Sequence, residues 1–285
     1  MPDTHGGNIF KFSHDHKINL SEVTDFSANI NLLGPSPKGL EALNERLRYI
    51  SHYPDVTNDD VMNTIADVYG IEKDSILLGN GAAELLYAVG RLSGFTGAFV
   101  PAPGFSEYQA SMDAANIPVR EIFYRQRQND DGTPYFEVPY LALQTFAAEL
   151  KGQDGRIIVF LGNPNNPDGT LLDKQSIRVL AQMLKDANSL LVIDESFIDF
   201  IGNESLRDNS HSMRELINQY DNVIIVHSFT KFYAVPGLRI GAVFANPTLI
   251  QELRQYIPAW SVNTLAQAYT ESALTDTKYI NDSKM

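Results

Sequence analysis

The chain has 285 residues, of which 44% are hydrophobic and 20% are charged, so it can bury the core of one large domain or of two unequal ones. A net charge of −13 makes nucleic acid and anionic membrane surfaces poor partners, and no stretch approaches the roughly 18 apolar residues of a membrane helix. Cysteine is absent, which excludes disulfides, thiolate metal sites and a cysteine nucleophile and favours a cytoplasmic protein.

Along the chain, a polar and turn-rich beginning gives way to alternating strand and helix patterns. Residues 1–44 predict an arm, with HGGN at 5–8 and GPSP at 34–37. Helical apolar spacing occurs at Ala83–Ser93, after a capping Asn80, and at Asp173–Ala187. Short β-branched runs predict strands at Ser75–Leu78, Gly97–Pro101, Val119–Tyr124, Arg156–Leu161, Leu190–Asp194, Val223–His227 and Ile240–Ala245. This alternation predicts an α/β fold with a largely parallel sheet that is covered on both faces.

Four polar motifs directly follow predicted strands. They are GNGAAE at 79–84, GNPNNPDG at 162–169, DESF at 194–197 and SFTK at 228–231. Because ligands gather at the carboxyl ends of strands in such sheets, we expect the four motifs to meet at one edge and form a site. GNGAAE also has the form of a turn into a helix whose first N–H groups bind phosphate, although a simple tight turn explains it as well.

Two charged residues in these motifs close apolar strands. Asp194 ends the run LLVID, where a buried carboxylate needs a positive partner; a helix cap or an ion pair is the alternative. Lys231 lies among apolar residues, where its pKa would fall and its neutral amine could attack a carbonyl group. The alternative is a surface lysine. Arg239 is either a phosphate ligand or part of a structural ion pair.

Together these residues fit pyridoxal 5'-phosphate. Lys231 supplies an amine for the cofactor's aldehyde, Asp194 a carboxylate that keeps the ring nitrogen protonated, and Asn166 a donor for the phenolate oxygen. Phe105, in PAPGFSEY, could lie against the ring face. The groups predicted to surround the phosphate are Gly81, Ala82, Ala83, Ser228, Thr230 and Arg239.

The motifs GNGAAE, PGFSEY, NPNNPDG, DESFIDF and SFTKFYAVPGLR occur in the order found in the fold-type I pyridoxal-phosphate enzymes of the aminotransferase superfamily, which the chain resembles over about residues 53–241. The resemblance implies that Lys231 is the Schiff-base lysine, Asp194 the pyridinium partner and Arg239 the phosphate arginine. It also implies a large, mostly parallel sheet flanked by helices. Finally, it implies a homodimer in which Tyr53 reaches the cofactor phosphate of the neighbouring subunit.

The resemblance also divides the chain. Residues 1–44 would form an N-terminal arm and part of a small domain, and residues 45–262 the large cofactor-binding domain. Residues 263–285 would begin a linker helix. The C-terminal small domain of the family, which contributes arginines for the substrate, is expected to be missing from this sequence.

Within the superfamily the sequence resembles the threonine-phosphate decarboxylases of cobalamin synthesis and the histidinol-phosphate aminotransferases. HGGN at 5–8 and DFSANIN at 25–31 are similar to the substrate-binding arm of the decarboxylases, and Phe197 replaces a tyrosine typical of the aminotransferases. The implied substrate is a phosphorylated amino acid, L-threonine O-3-phosphate, which would be decarboxylated to 1-amino-2-propanol phosphate. The residues implied to bind it are His5, Gly6, Asn29 and Asn166.

Other interpretations stay open. The chain could be an aminotransferase for histidinol phosphate, or a serine-phosphate decarboxylase, since one methyl group gives only about 1–3 kcal/mol of discrimination. It could also be an inactive, dimeric scaffold that binds the cofactor. A metal site is not expected, because the histidines of HDH at 14–16 have no third ligand at a suitable spacing.

Overall fold

The computed structural model describes residues 6–137, 140–150, 155–202 and 205–284. In chain order, its α-helices α1 to α11 are Ile9–His16, Pro37–Arg46, Asp59–Tyr69, Gly81–Gly90, Glu107–Ala114, Tyr140–Leu150, Lys174–Asp186, Phe229–Phe232, Pro247–Arg254, Thr264–Ala273 and Thr277–Ser283. Its strands β1 to β9 are Ile76–Gly79, Phe95–Ala102, Val119–Phe123, Arg125–Gln128, Pro134–Glu137, Arg156–Gly162, Leu190–Asp194, Val223–Ser228 and Gly241–Ala245. Within these ranges, no helix is long and apolar enough to cross a membrane.

Seven strands form one sheet in the order β1-β9-β8-β7-β6-β2-β3, and β4 pairs with β5 in a separate hairpin. Strand β9 is antiparallel to both of its neighbours, β1 and β8. The remaining neighbours in the sheet pair in parallel. Six strands therefore run in one direction and β9 runs against them. The predicted α/β fold is confirmed, and all seven predicted strands belong to this sheet with bounds close to those predicted.

The central strands are apolar throughout because both faces of the sheet are covered. In β7, Leu191 and Ile193 pack into one core, which includes residues of α3 and α7. Leu190 and Val192, on the other face, pack into a second core with residues of α4 and α5. Helix α7 begins as predicted at Asp173, whose Oδ1 accepts a hydrogen bond from the backbone N–H of Ser176 at 2.9 Å. This alternation decides which side chains at the strand ends face which core.

The N-terminal part of the chain is more helical than predicted. The sequence predicts an arm for residues 1–44, but α1 and most of α2 lie within this range. The predicted domain boundary after residue 44 falls inside α2. Pro37 is accommodated at the first position of α2, where its missing N–H is not needed. A Cβ atom on Gly39 would lie 2.6 Å from the ring of Tyr269 in α10, so glycine permits the close packing of these two helices. The turn-like composition of this segment therefore did not indicate that α2 is a helix packed against α10.

Candidate active site

The four motifs meet at one edge of the sheet. Strands β1, β6, β7 and β8 run in the same direction, and their carboxyl ends are Gly79, Gly162, Asp194 and Ser228. Gly162 pairs with Asp194, while Gly241, at the start of β9, lies between Gly79 and Ser228. The sheet therefore brings the strand-end motifs together, as the alternation of strands and helices predicted.

Lys231 lies in the short helix α8, directly after β8. Its Nζ donates a hydrogen bond to Oγ of Ser228 at 3.2 Å, and the same Oγ lies 2.8 Å from Oγ1 of Thr230. Burial lowers the pKa of Lys231 below the ordinary lysine value; the carboxylate of Asp194 opposes this shift and the guanidinium of Arg239 adds to it. Compared with an exposed lysine, Lys231 therefore has a larger fraction of neutral, nucleophilic amine.

Asp194 is 6% exposed and both of its carboxylate oxygens accept hydrogen bonds. Oδ1 accepts from the backbone N–H of Ser196 at 2.9 Å, and Oδ2 accepts from the hydroxyl of Tyr108 at 2.8 Å. Burial, together with the charge of Asp194, raises the pKa of Tyr108 well above the usual tyrosine value, so the hydroxyl stays a donor. These bonds hold the carboxylate in one orientation at the end of β7.

Tyr108 is a functional residue that the sequence analysis did not identify. It stacks on Phe160 of β6 with ring centroids 5.2 Å apart, and its ring meets that of Phe105 edge-on at 5.7 Å. The motif PGFSEY contains both Phe105 and Tyr108, three positions apart at the start of a helix. Phe105 precedes α5 and Tyr108 lies in its first turn, and their shared motif was the available signal.

Arg239 lies against the start of α4. A Cβ atom on Gly81 would lie 2.4 Å from Nη2 of Arg239, and φ of Gly81 is +80°, a backbone conformation that favours glycine. A Cβ atom on Gly241 would similarly lie 2.6 Å from the backbone nitrogen of Ala82. The two glycines let β9 and the guanidinium approach the first turn of α4 closely.

The first turn of α4 presents N–H groups at this position. Asn80 occupies the predicted cap position, but its side chain makes no capping hydrogen bond. The predicted position of the cap is therefore confirmed, and the predicted hydrogen bond is absent. The N–H groups of Gly81, Ala82 and Ala83 belong to the set that an α-helix cannot pair internally. With Arg239 beside them, they form a surface suited to a phosphate group.

Two cavities adjoin Lys231. The smaller, of about 30 Å³, is lined by Asp194 and Tyr108 together with residues of the neighbouring loops. The larger, of about 660 Å³, extends from the same place to the N-terminal arm. The residues that line both cavities are Phe105, Asn166, Phe197 and Lys231. The structure thus places the predicted ring-stacking and phenolate-binding residues next to the lysine and the aspartate.

The predicted substrate residues lie on the arm side of the larger cavity. Gly6 and Asn29 line it together with Asn166. A Cβ atom on Gly6 would lie 1.8 Å from the carbonyl oxygen of Ser27, so the two arm segments pack without room for a side chain at position 6. His5, the remaining predicted substrate residue, lies outside the described residues.

Tyr53, like the residues predicted to surround the phosphate, lines neither of the two cavities beside Lys231. Its side chain is 79% exposed and stacks on Trp260, with ring centroids 4.6 Å apart. The prediction gave Tyr53 a role in the neighbouring subunit, and an exposed position away from the chain's own lysine is compatible with that role.

The three carboxylates of DESFIDF have separate surroundings. Asp194 belongs to the face of the sheet that carries Tyr108, whereas Glu195 and Asp199 are buried on the other side. Glu195 accepts a hydrogen bond from the hydroxyl of Ser212 at 2.7 Å, and Asp199 accepts one from the hydroxyl of Tyr69 at 2.7 Å. Of the three, Asp194 is therefore the carboxylate available to a ligand beside Lys231.

The residues present fit the predicted cofactor. An amine with a lowered pKa and a fixed carboxylate line one small cavity, together with an aromatic ring and an amide side chain. The glycine-lined helix start lies next to an arginine, as a phosphate group requires. These are the five kinds of contact that pyridoxal 5'-phosphate needs from a protein.

Comparison with known proteins agrees with this geometry. The family described as aminotransferase class I and II matches residues 21–285. An adenosylcobalamin biosynthesis bifunctional protein of Leptospira interrogans is 36% identical over 98% of this chain, which spans 30% of that protein. The threonine-phosphate decarboxylase of Salmonella typhimurium is 32% identical over 96% of this chain, which spans 71% of it.

A solved structure has the same architecture. The histidinol-phosphate aminotransferase from Clostridium acetobutylicum superimposes with a TM-score of 0.77 at 26% sequence identity, covering 92% of this chain and 72% of that chain. The fold and superfamily predicted from the motifs are therefore confirmed.

Proposed function

The chain belongs to the class I and II aminotransferase family, whose cofactor is pyridoxal 5'-phosphate, and on that premise we propose that it decarboxylates L-threonine O-3-phosphate. The products would be CO₂ and 1-amino-2-propanol phosphate, a precursor for cobalamin. One observation carries the proposal: the N-terminal arm and Phe197 share a cavity with Lys231. The similarity to the Salmonella decarboxylase, at 32% identity, supports the same substrate.

The cavity suits a small phosphorylated amino acid. Its volume of about 660 Å³ lies in the range of ordinary small-molecule sites. Gly6 and Asn29 of the arm line the cavity together with Asn166 and Lys231. A substrate bound there would have its Cα beside Lys231 and its far end at the arm.

Phe197 favours decarboxylation over transamination. It lines the cavity at the position where the resemblance leads us to expect a tyrosine in aminotransferases, and it offers no hydroxyl. Asn166, in the same two cavities, then remains as the donor to the cofactor's phenolate oxygen. A change in that donor alters how charge is distributed over the ring, which is one of the properties a protein uses to direct this cofactor.

The chain's residues would divide the work as follows. When bound, pyridoxal 5'-phosphate withdraws electrons from the substrate's Cα, so that a bond at that carbon can break. Asp194, oriented by Tyr108, would hold a proton on the ring nitrogen. The arm would set which bond at Cα breaks, since remote binding energy fixes geometry at the reacting carbon. The amine of Lys231, hydrogen-bonded to Ser228, would return a proton to Cα after CO₂ leaves.

Product analysis tests the proposal. The chain, loaded with pyridoxal 5'-phosphate, is incubated with L-threonine O-3-phosphate, with and without 2-oxoglutarate. We expect CO₂ and an amine that retains its nitrogen, at a rate that does not depend on 2-oxoglutarate. Turnover of histidinol phosphate that requires 2-oxoglutarate would replace this proposal with the aminotransferase. Cofactor binding without turnover of any of these substrates would leave the scaffold interpretation.

Serine phosphate is the sharper competitor, because it differs from threonine phosphate by one methyl group. A pocket contact with that methyl group contributes about 1–3 kcal/mol, or roughly 10- to 200-fold in kcat/KM. We expect threonine phosphate to be preferred within that range. Equal kcat/KM values for both substrates would mean that the pocket does not contact the methyl group.

We also propose that the chain forms a homodimer with shared active sites. Tyr53 and Trp260 are 79% and 50% exposed, and the nearby Ile50 is 65% exposed, which makes an uncovered apolar surface. Sedimentation should detect the dimer, and Tyr53→Ala should weaken cofactor binding. Tyr135→Ala, at an exposed tyrosine of the separate β4–β5 hairpin, is the matched control. A monomer with full cofactor affinity would contradict the proposal.

The division into domains also remains a proposal. The cofactor residues from Gly81 to Arg239 all lie within the proposed large domain, residues 45–262. Helix α10 follows that boundary directly, beginning after Asn263. Limited proteolysis of the loaded chain tests the boundaries, and we expect the first stable cuts to fall before α2 or after residue 262.

A further inference from the structure

The helix that carries Lys231 is held by distant residues as well as by local hydrogen bonds, in which the backbone N–H of Ala234 donates to the carbonyl oxygen of Lys231 at 3.2 Å and that of Val235 to the carbonyl oxygen of Thr230 at 3.0 Å. Helix α8 has four residues, and the last four carbonyl groups of an α-helix have no partner within it. In α8 and its C-terminal neighbour, the carbonyl oxygens of Lys231, Phe232 and Tyr233 each accept a hydrogen bond from a distant residue. The donors come from the arm and from the two C-terminal helices.

Asn31 of the arm binds two of these carbonyl groups. Its backbone N–H donates to the carbonyl oxygen of Lys231 at 3.1 Å, and its Nδ2 donates to that of Phe232 at 2.9 Å. Its Oδ1 accepts from the backbone N–H of Leu33 at 3.0 Å, which holds the arm in a turn at this point. Asn31 therefore ties a locally ordered part of the arm to the lysine helix.

Two tyrosines complete these contacts. The hydroxyl of Tyr279, in α11, lies 2.8 Å from the carbonyl oxygens of both Phe232 and Gly34, and it has one proton for the two. Nδ2 of Asn31 satisfies Phe232 as well, which frees Tyr279 to donate to Gly34. The hydroxyl of Tyr269, in α10, donates to the carbonyl oxygen of Tyr233 at 2.8 Å. Burial raises the pKa of Tyr279 to about 12, so its hydroxyl remains a donor at neutral pH.

We propose that Asn31 is a positioning residue that, with Tyr279 and Tyr269, fixes the backbone at Lys231 and thereby the direction of its amine. A lysine side chain is long and flexible, so its Nζ is well placed only if the backbone beneath it is held. Asn31 lies two positions after Asn29, so the segment proposed to contact the substrate also holds the lysine helix. The inference rests on the proposed function only in taking Lys231 as the residue that binds the cofactor.

The test compares Asn31→Ala with Asn222→Ala. Asn222 is a matched control, because it is also half-buried and its Nδ2 donates to two backbone carbonyl groups, those of Ala181 at 3.1 Å and Ser189 at 3.0 Å. It precedes β8 at the opposite end of the sheet from Ser228. The readout is the second-order rate at which the cofactor-free chain captures pyridoxal 5'-phosphate covalently, measured without substrate. A second readout is the pH midpoint of the bound cofactor's visible absorbance.

We expect Asn31→Ala to slow capture roughly tenfold and to shift the pH midpoint, since small displacements of a reacting group have effects of this order. Asn222→Ala should stay within about twofold of the unaltered chain in rate and keep its midpoint, although both variants lose similar stability in urea unfolding. If Asn31→Ala captures the cofactor as fast as Asn222→Ala, with an unchanged midpoint, the proposal is wrong.

Tyr279→Phe decides the matter if Asn31→Ala does not fold, because it removes one hydroxyl and keeps the ring packed. We expect it to slow capture about threefold, by releasing the carbonyl group of Gly34, whose backbone N–H bonds the carbonyl oxygen of Asn31 at 3.2 Å. An unchanged rate in a folded Tyr279→Phe chain would overturn the proposal in that case. The capture assay contains no substrate, so a chain that captures the cofactor normally but releases no CO₂ refutes the proposed function and leaves this inference standing.

Discussion

The two sides of the site are built in different ways. The cofactor side includes residues at or just after the ends of strands, such as Asp194 at the end of β7 and Lys231 after β8. The substrate side consists of the arm, which reaches the site through long-range contacts; the bond from Asn31 to Phe232 joins residues 201 positions apart. Sheet pairing therefore brings together the strand ends next to which these cofactor residues lie, whereas the arm depends on packing against α10, α11 and the lysine helix.

This difference has a functional consequence. Substitutions at the strand ends should impair cofactor chemistry for every substrate. Substitutions in the arm should change which substrate is used and how well, except at Asn31, where the arm meets the lysine helix. Variants that separate cofactor capture from substrate turnover can test this division.

Lys231→Ala should have the largest effect. Removing the amine that bonds to the cofactor should lower turnover by roughly 10⁴-fold or more, the order seen when a covalent nucleophile is deleted. Lys185→Ala is the control, since Lys185 pairs with Asp221 at the surface at 3.1 Å. Steady-state kcat with saturating cofactor is the measurement. If kcat of Lys231→Ala lies within tenfold of kcat of Lys185→Ala, Lys231 does not have the role proposed for it on the cofactor side.

Asp194→Asn should have the next largest effect. The amide keeps the shape of the carboxylate but removes the charge that would stabilise a protonated ring nitrogen, and loss of such a stabilising group lowers kcat by about 10²- to 10³-fold. Asp113→Asn, in the exposed last turn of α5, controls for the loss of one negative charge. Equal kcat values for the two variants would show that Asp194 does not stabilise a protonated ring nitrogen of the cofactor.

Asn29→Ala tests the substrate side of the site. Because Asn29 lines the cavity on the arm, the variant should raise KM for threonine phosphate roughly tenfold. Its rate of cofactor capture without substrate should stay unchanged. A loss of capture equal to the loss of turnover would mean that the two sides of the site do not act separately.

The smallest expected effect is a pH dependence of stability. Burial lowers the pKa of Lys231 in the folded chain below the ordinary lysine value, which an unfolded chain retains. Between the folded and the unfolded pKa the unfolded chain binds more protons, so the free energy of unfolding should rise with pH across that window. Urea unfolding at several pH values, compared with Lys231→Met, measures the contribution. If the free energy of unfolding of Lys231→Met depends on pH in the same way, Lys231 is not the source of that dependence.

The cofactor side could be predicted from the sequence for a physical reason. Strands buried on both faces appear as apolar runs, and the polar residues that end them must lie at the sheet edge, as DESF and SFTK do. Tyr108 was missed because its partner Asp194 is 86 positions away, and no spacing rule connects them. The cap assigned to Asn80 was wrong in detail: its side chain accepts no hydrogen bond from the first turn of α4, and its backbone N–H donates to Oε2 of Glu84 at 2.6 Å.

The arm was harder to predict because its order comes from other parts of the chain. Helix α2 contains Pro37 and Gly39, and these two residues considered alone suggest a loop. In the folded chain, the missing side chain of Gly39 leaves room for the ring of Tyr269. The role of Asn31 likewise depends on the position of α8 and α11, which only the folded chain defines.

The most direct measurement is the location of the covalent bond. The chain is loaded with pyridoxal 5'-phosphate, reduced with borohydride and digested, and the peptide that carries the added mass is identified. A site built around an activated amine at the end of β8 predicts the label on Lys231, at one equivalent per chain. Stoichiometric labelling of other lysines with Lys231 unmodified would contradict that assignment, and with it the proposed chemistry.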